Sequence, residues 1–265
     1  MLRLENVGLV YNLGTSNQVV ALQALSLHVP QGQFVTVVGT NGAGKSSLVQ
    51  IIAGAVRPTT GRILLAGKDV SRDPDYRRAA SIARVFDNPQ AGTAPELSIE
   101  DNMALAMARG RRRGLRFAVT QKRRALLRER LSHLGLGLER RLSESVQLLS
   151  AGQRQSLTMV MAGLCHPQVL LLDEHLAALD PGTQAKVLRL TLHLVREFGC
   201  TTVMVTHNME HALTVGNRLI VMSRGRIIAD FEEDAKIQLT VQDVVAAVTQ
   251  AGDHLPDRTI LSEAL

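Results

Sequence analysis

Apolar positions along the chain change their period more than once. Leu2 to Val10 reads as a strand that ends at Tyr11, and Val19 to Val29 is a second extended stretch. Pro30-Gln31-Gly32-Gln33 is a turn before Phe34-Val35-Thr36-Val37-Val38, a run rich in β-branched residues that reads as a buried strand. Ser47 to Ala53 is rich in Leu, Val and Ile and reads as a helix. Gly61 to Gly67 reads as a short strand and turn, and Ile82 to Phe86 as a strand leading into the loop Asp87-Asn88-Pro89-Gln90. From Ser98 to about Cys165 the spacing becomes helical and strands stop. Alternation resumes with the strand Val169–Leu172, a helix from about Gln184 to Phe198, and the strands Thr201–Val205 and Arg226–Asp230. An amphipathic stretch, Leu239 to Val248, follows an acidic segment that begins near Phe231. This order predicts a parallel α/β sheet with an inserted helical lobe.

Composition narrows the class. With no Trp, 2 Tyr and 5 Phe in 265 residues, the core must be aliphatic. Cys165 and Cys200 have neither metal-ligand spacing nor a disulfide framework, which suits a reducing cytosol. The start, Met1-Leu2-Arg3-Leu4-Glu5, has no apolar signal core, and no apolar run approaches the ~20 residues of a spanning helix. The expectation is a soluble cytoplasmic chain.

The net charge of +6 is local. Between Arg109 and Arg124 stand eight basic residues and no acid: Arg109, Arg111, Arg112, Arg113, Arg116, Lys122, Arg123 and Arg124. Removing those eight from the 30 Lys and Arg leaves 22 against 24 Asp and Glu. Such a run suits nucleic acid, anionic lipid headgroups, or the solvated face of a surface helix. Phe117 is its one aromatic, too few for base stacking, which weighs against nucleic acid.

The candidate chemistry centres on Gly39-Thr40-Asn41-Gly42-Ala43-Gly44-Lys45-Ser46-Ser47, between a buried strand and a helix. In that context GxxxxGK[ST] is a phosphate-binding loop. Phosphates must approach backbone N–H groups closely, and a Cβ at Gly39, Gly42 or Gly44 would obstruct the loop or its positive-φ positions. The helix N-terminus adds donors and a positive dipole end. Lys45 then reaches the β- and γ-phosphates, and the Ser46 hydroxyl is placed to ligate Mg²⁺.

Two further segments fit this site. Val169-Leu170-Leu171-Leu172-Asp173-Glu174 puts consecutive carboxylates at the end of an aliphatic strand, where doubly wound sheets bind ligands. A metal–phosphate site compensates that charge, with Asp173 holding the metal through water and Glu174 polarising the attacking water as general base. Leu149-Ser150-Ala151-Gly152-Gln153-Arg154-Gln155 has Ser150 as cap of a helix beginning near Gln153, with Gly152 open to an anion.

Loop, LSxGQ segment and acidic strand, in this order, resemble the nucleotide-binding subunit of an ABC transporter, over nearly the whole chain. The resemblance implies a P-loop NTPase fold: a RecA-like α/β core with an antiparallel β subdomain and an inserted helical subdomain. Residues 1–240 would form one ABC ATPase domain with the helical subdomain at about 88–165, and 241–265 a short helix and tail. By resemblance Gly39–Ser47 is the Walker A loop, Asp173 and Glu174 end Walker B, and Leu149–Gln153 is the signature, with Ser150, Gly152 and Gln153 contacting ATP. Ala177-Ala178-Leu179-Asp180 resembles the D-loop, His207 the switch histidine on the γ-phosphate, and Tyr11 the aromatic that stacks on adenine. Asp87 stands where the family has Gln, which contacts Mg²⁺ and the attacking water. A carboxylate there implies altered metal dependence or slower turnover. Ala151 replaces a commoner Gly.

The resemblance also implies partners: a second copy of the chain in a head-to-tail dimer that sandwiches two ATP, and integral membrane permease subunits. The stretches Gly14-Thr15 with Ala21-Leu22, Val85-Phe86 with Ala91-Gly92-Thr93, and Asp173-Glu174-His175 with Ala177–Pro181 are similar to a bacterial group that accompanies a periplasmic solute-binding protein, some of whose members are linked to aromatic amino acids. Import is implied, from a position peripheral to the inner face of the plasma membrane, with the basic run near anionic headgroups and no nucleic acid. The competing class is a soluble ABC ATPase acting on nucleic acid or ribosomes, which usually carries two cassettes or a coiled-coil insertion. A P-loop kinase or GTPase leaves LSAGQ and His207 unexplained.

Overall fold

The computed structural model describes residues 1–110 and 118–251, so Arg111, Arg112, Arg113, Arg116 and Phe117 of the basic run, and the tail beyond 251, lie outside the described residues. In chain order the first stretch holds β1 (Leu2–Tyr11), β2 (Val19–Val29), β3 (Phe34–Gly39) and α1 (Lys45–Ala53). It continues through β4 (Thr60–Leu65), β5 (Lys68–Asp69) and α2 (Asp75–Arg78). Then come β6 (Ile82–Val85), α3 (Ile99–Met107), α4 (Gln121–Ser132), α5 (Ala151–Gly163), β7 (Val169–Asp173) and α6 (Pro181–Phe198). The chain proceeds through β8 (Thr201–Val205), α7 (Met209–Thr214), β9 (Arg218–Ser223), β10 (Arg226–Glu232), α8 (Glu233–Lys236) and α9 (Val241–Gln250).

These elements form two compact units. The first comprises Met1–Arg78, Leu171–Asp173 and the chain from Thr201; the second comprises Ala79–Leu170 and Glu174–Cys200. In the first unit, β1 pairs antiparallel with β2, from Leu2 opposite Val29 to Tyr11 opposite Val19, within the sheet order β2-β1-β4-β5. The second sheet of this unit runs β10-β9-β3-β8-β7. β3 is parallel to β8, with Phe34 opposite Thr202, and to β9, with Gly39 opposite Met222. Every residue of β3, β8 and β9 is buried, which explains their continuous apolar runs: both faces are covered, so no alternation remains. On one face, Val38, Leu219 and Val221 of the sheet pack with Met209 and Ala212 of α7 and with Val244 and Val248 of α9. Each such aliphatic contributes about 1.5–3 kcal/mol by leaving water.

The strand β9 was not among the sequence expectations. It joins β10 through Arg224 (φ 46°) and Gly225 (φ 76°), a two-residue turn with both centres left-handed, the type whose twist suits a hairpin. Arg78, 2% exposed, closes the other end of the loop-bearing helix: Nη1 donates to the carbonyls of Ile51 at 2.5 Å and Ile52 at 2.9 Å, and Nε to that of Asp73. The Ile51 and Ile52 carbonyls lie in the last turn of α1, which leaves its carbonyls without intrahelical partners.

In the second unit, β6 lies beside the start of β7, where Gln168 and Val169 both donate to the Ser81 carbonyl. α3, α4, α5 and α6 supply the rest of its core, with Met103, Leu127, Leu131, Leu157 and Met159 fully or almost fully buried. α6 begins at Pro181, before the Gln184 expected from apolar spacing, because Asp180 caps it and Pro is tolerated in the first turn.

Candidate functional site

The phosphate loop is shaped by glycines that nothing else can replace. At Gly39, φ is 153° and a Cβ would stand 2.0 Å from the Met222 carbonyl oxygen. At Gly44, φ is 94° and a Cβ would stand 2.5 Å from the Ala21 carbonyl oxygen. The loop is tied down through its backbone: Ala43 N–H donates to the Thr40 carbonyl, and Gly225 N–H, from the β9–β10 turn, donates to the Ala43 carbonyl. Gly44 is the cap residue of α1 and has no side chain to satisfy the first-turn N–H groups, the arrangement that anion-binding helix starts use. α1 begins at Lys45, two residues before the expected Ser47, so Lys45, Ser46 and Ser47 are its first turn.

Lys45 is 6% exposed, and its ammonium donates to the carbonyls of Gly39 and Thr40, both at 2.9 Å. A phosphate reaching this loop would therefore compete with carbonyls for a pre-placed cation. Asn41, Gly42 and Ser46 are exposed on the loop, and Thr40 and Ala43 are buried beneath it.

Tyr11, half-buried at the end of β1, places its hydroxyl on the same helix. It donates to Gln50 Oε1 at 3.0 Å, which leaves Ser47 Oγ, at 3.3 Å, as donor to the phenol oxygen. Asp173 is 6% exposed at the end of β7. His207 is exposed two residues beyond β8, immediately before Asn208, which caps α7.

The second segment of the second unit begins with Glu174. Its backbone is left-handed at φ 49°, a conformation that costs a branched-at-Cα residue about 1–2 kcal/mol and that is kept where neighbours over-determine it. Its carbonyl accepts from Ala177 N–H at 2.9 Å, closing a turn. His175 is fully buried, with Nε2 3.1 Å from Thr191 Oγ1. Because Thr191 Oγ1 donates to the Val187 carbonyl, the imidazole supplies the hydrogen of that contact from Nε2. Asp87 is exposed in the bend after β6.

The signature segment of the second unit is a capping box. Ser150 Oγ accepts from Gln153 N–H at 3.2 Å, and Gln153 Oε1 accepts from Ser150 N–H at 3.1 Å. The helix starts at Ala151, earlier than the expected Gln153, and Gly152 lies in its first turn. A Cβ at Gly152 would meet Thr183 Cγ2 at 2.4 Å, so close packing of α5 on the start of α6 is a second reason for this glycine. Gln155 was in the expected segment but carried no role; it is fully buried, and its amide nitrogen donates to the carbonyls of Phe86 and His175. Nothing in local spacing announces such long-range partners.

Comparison with known proteins agrees with this geometry. A family model described as ABC transporter matches residues 22–177. A tyrosine transport ATP-binding protein of Clostridioides difficile (strain R20291) is 38% identical over 245 residues, covering 92% of this chain and 97% of that one. A fructose import ATP-binding protein of Rhizobium meliloti is 35% identical over 253 residues, covering 92% of each. A solved dimeric ATP-binding cassette in a post-hydrolysis state, bound to ADP and Pi, superposes with a TM-score of 0.75 at 29% identity, over 88% of this chain and 99% of that one.

Proposed function

Because the chain belongs to the ABC transporter family, we propose that its ATP hydrolysis drives uptake of an aromatic amino acid, delivered by a periplasmic solute-binding protein. The subunit binds and hydrolyses ATP and powers import through membrane permease subunits. Among the described residues no helix is long and apolar enough to cross a membrane. The observation that carries the reading is the phosphate loop: two glycines without room for a Cβ, and Lys45 held ready on loop carbonyls.

In the proposed reaction, Lys45 exchanges the Gly39 and Thr40 carbonyls for β- and γ-phosphate oxygens. The N–H groups of residues 40–46 line the phosphates, and Tyr11 stacks on adenine. Ser46 and Asp173 would hold Mg²⁺, with Asp87 as a further carboxylate. Ser46, in the first turn of α1, and Asp173, at the end of β7, offer a hydroxyl and a carboxylate oxygen, the hard donors Mg²⁺ takes in a shell otherwise completed by phosphate and water. Bound Mg²⁺ offsets charge on the transferred phosphoryl group. Glu174 orients and polarises the attacking water, and His207 contacts the γ-phosphate. Two copies pair head to tail, so that Ser150, Gly152 and Gln153 of one copy cover the ATP of the other; a similar solved cassette is dimeric. The pair docks on the permease at the inner membrane face.

The test is uptake of labelled tyrosine by cells lacking the subunit. Wild type restores uptake and copurifies with a membrane permease, whereas Lys45→Ala restores none. Turnover stimulated by RNA or DNA, without any copurifying permease, contradicts the reading.

A further inference from the structure

We propose that Gln155 is a positioning residue for hydrolysis, its amide clamping the turn that carries Glu174 to the exit of β6 that carries Asp87. The inference rests on Glu174 being the general base. Gln155 Nε2 donates to the Phe86 carbonyl at 3.0 Å and to the His175 carbonyl at 2.7 Å, so both amide hydrogens are used. Phe86 immediately precedes Asp87, and His175 immediately follows Glu174.

Three observations show that this amide does more than fill space. Gln155 is 0% exposed, and its Oε1 is buried and accepts no hydrogen bond among the described residues. A Met or Leu would fill the same volume without burying an unpaired oxygen, so what the position gains from Gln is the pair of donors. Next, Glu174 holds a left-handed φ of 49°, which neighbours must enforce. The peptide carbonyl that Gln155 grips is the next one along the chain, and the same residue is gripped from its ring by Thr191 at 3.1 Å. His175 is thereby fixed at backbone and side chain, and the turn at Glu174 has little freedom. Finally, α5 carries the Ser150 cap at its start and Gln155 just beyond its first turn, so one rigid helix holds both the signature segment and this clamp.

The experiment compares Gln155→Met and Gln155→Asn with wild type in the full chain, by steady-state ATPase and by ATP binding. Met removes both donors at nearly constant volume; kcat is expected to fall about 10- to 100-fold through loss of alignment, while KM and ATP affinity stay within about twofold. Asn keeps an amide with shorter reach, and its kcat should fall between the two. A Met variant with wild-type kcat, or with raised KM and unchanged kcat, overturns the proposal. If Met does not fold, Asn decides by the same split. Glu174→Gln is measured alongside: if it retains turnover, the general-base reading fails and the inference with it. If it loses turnover while Gln155→Met keeps kcat, the inference alone fails.

Discussion

The Tyr11 hydroxyl donates to Gln50 Oε1 at 3.0 Å, fastening the end of β1 to the second turn of the phosphate-loop helix. The aromatic ring is thus held by its polar tip. Tyr11→Phe should cost stability by about 1 kcal/mol, the net value of one hydrogen bond, and leave ATP affinity nearly unchanged. Tyr11→Ala should weaken ATP binding by about 1–3 kcal/mol, the range for a base on an aromatic. Nucleotide titration of the two variants checks this. Equal affinities for Phe and Ala would place adenine elsewhere.

Gly152 separates packing from anion contact. Gly152→Ala should destabilise by about 1–3 kcal/mol through overpacking against Thr183. Adding Thr183→Ser removes the methyl group in the way and should restore the denaturation midpoint. If the double variant folds like wild type but still hydrolyses ATP slowly, Gly152 also serves the phosphates. Full recovery of turnover would reduce this glycine to a packing residue.

Lys236 gives a pH signature. It is 3% exposed, and its ammonium donates to Thr36 Oγ1 and Gly216 at 3.2 Å and to the Val215 carbonyl, with no carboxylate among these partners. Burial pushes it from 10.5 down to about 8. Between those values the unfolded chain holds a proton that the fold releases, so this group adds stability as pH rises through about 8 to 10.5, and its charged form is costly below. Thermal midpoints of wild type and Lys236→Met, compared from about pH 7 to 10, should diverge in favour of wild type as pH rises. A constant difference contradicts the assignment.

Asp87 is expected to bear on the metal. Asp87→Gln removes one carboxylate, and the Mg²⁺ concentration for half-maximal turnover should rise by about tenfold. Unchanged metal dependence and unchanged turnover together would remove Asp87 from the site.

How much of this was legible depended on how local each signal is. The glycine loop could be read because Gly39 and Gly44 answer to steric demands that recur wherever backbone meets phosphate, and Ser150 could be read because a capping box lies within four residues. Apolar runs announced β3, β7 and β8 because burial on both faces leaves no other pattern. β9 was hidden although its run is equally apolar; the Arg224-Gly225 turn was the available sign. The left-handed Glu174, the buried Arg78 and the Gln155 clamp were not legible. Glu has no intrinsic preference for positive φ, and Arg78 and Gln155 serve carbonyls up to 27 and 69 residues away.

The most direct test of the account is turnover and dimerisation of Glu174→Gln beside wild type, by steady-state ATPase and light scattering in ATP and Mg²⁺. Loss of turnover by about 10²- to 10⁴-fold, with an ATP-held dimer that does not separate, is the expected result. A variant that still hydrolyses ATP, or that stays monomeric when ATP is bound, would contradict both the general base and the two-site sandwich.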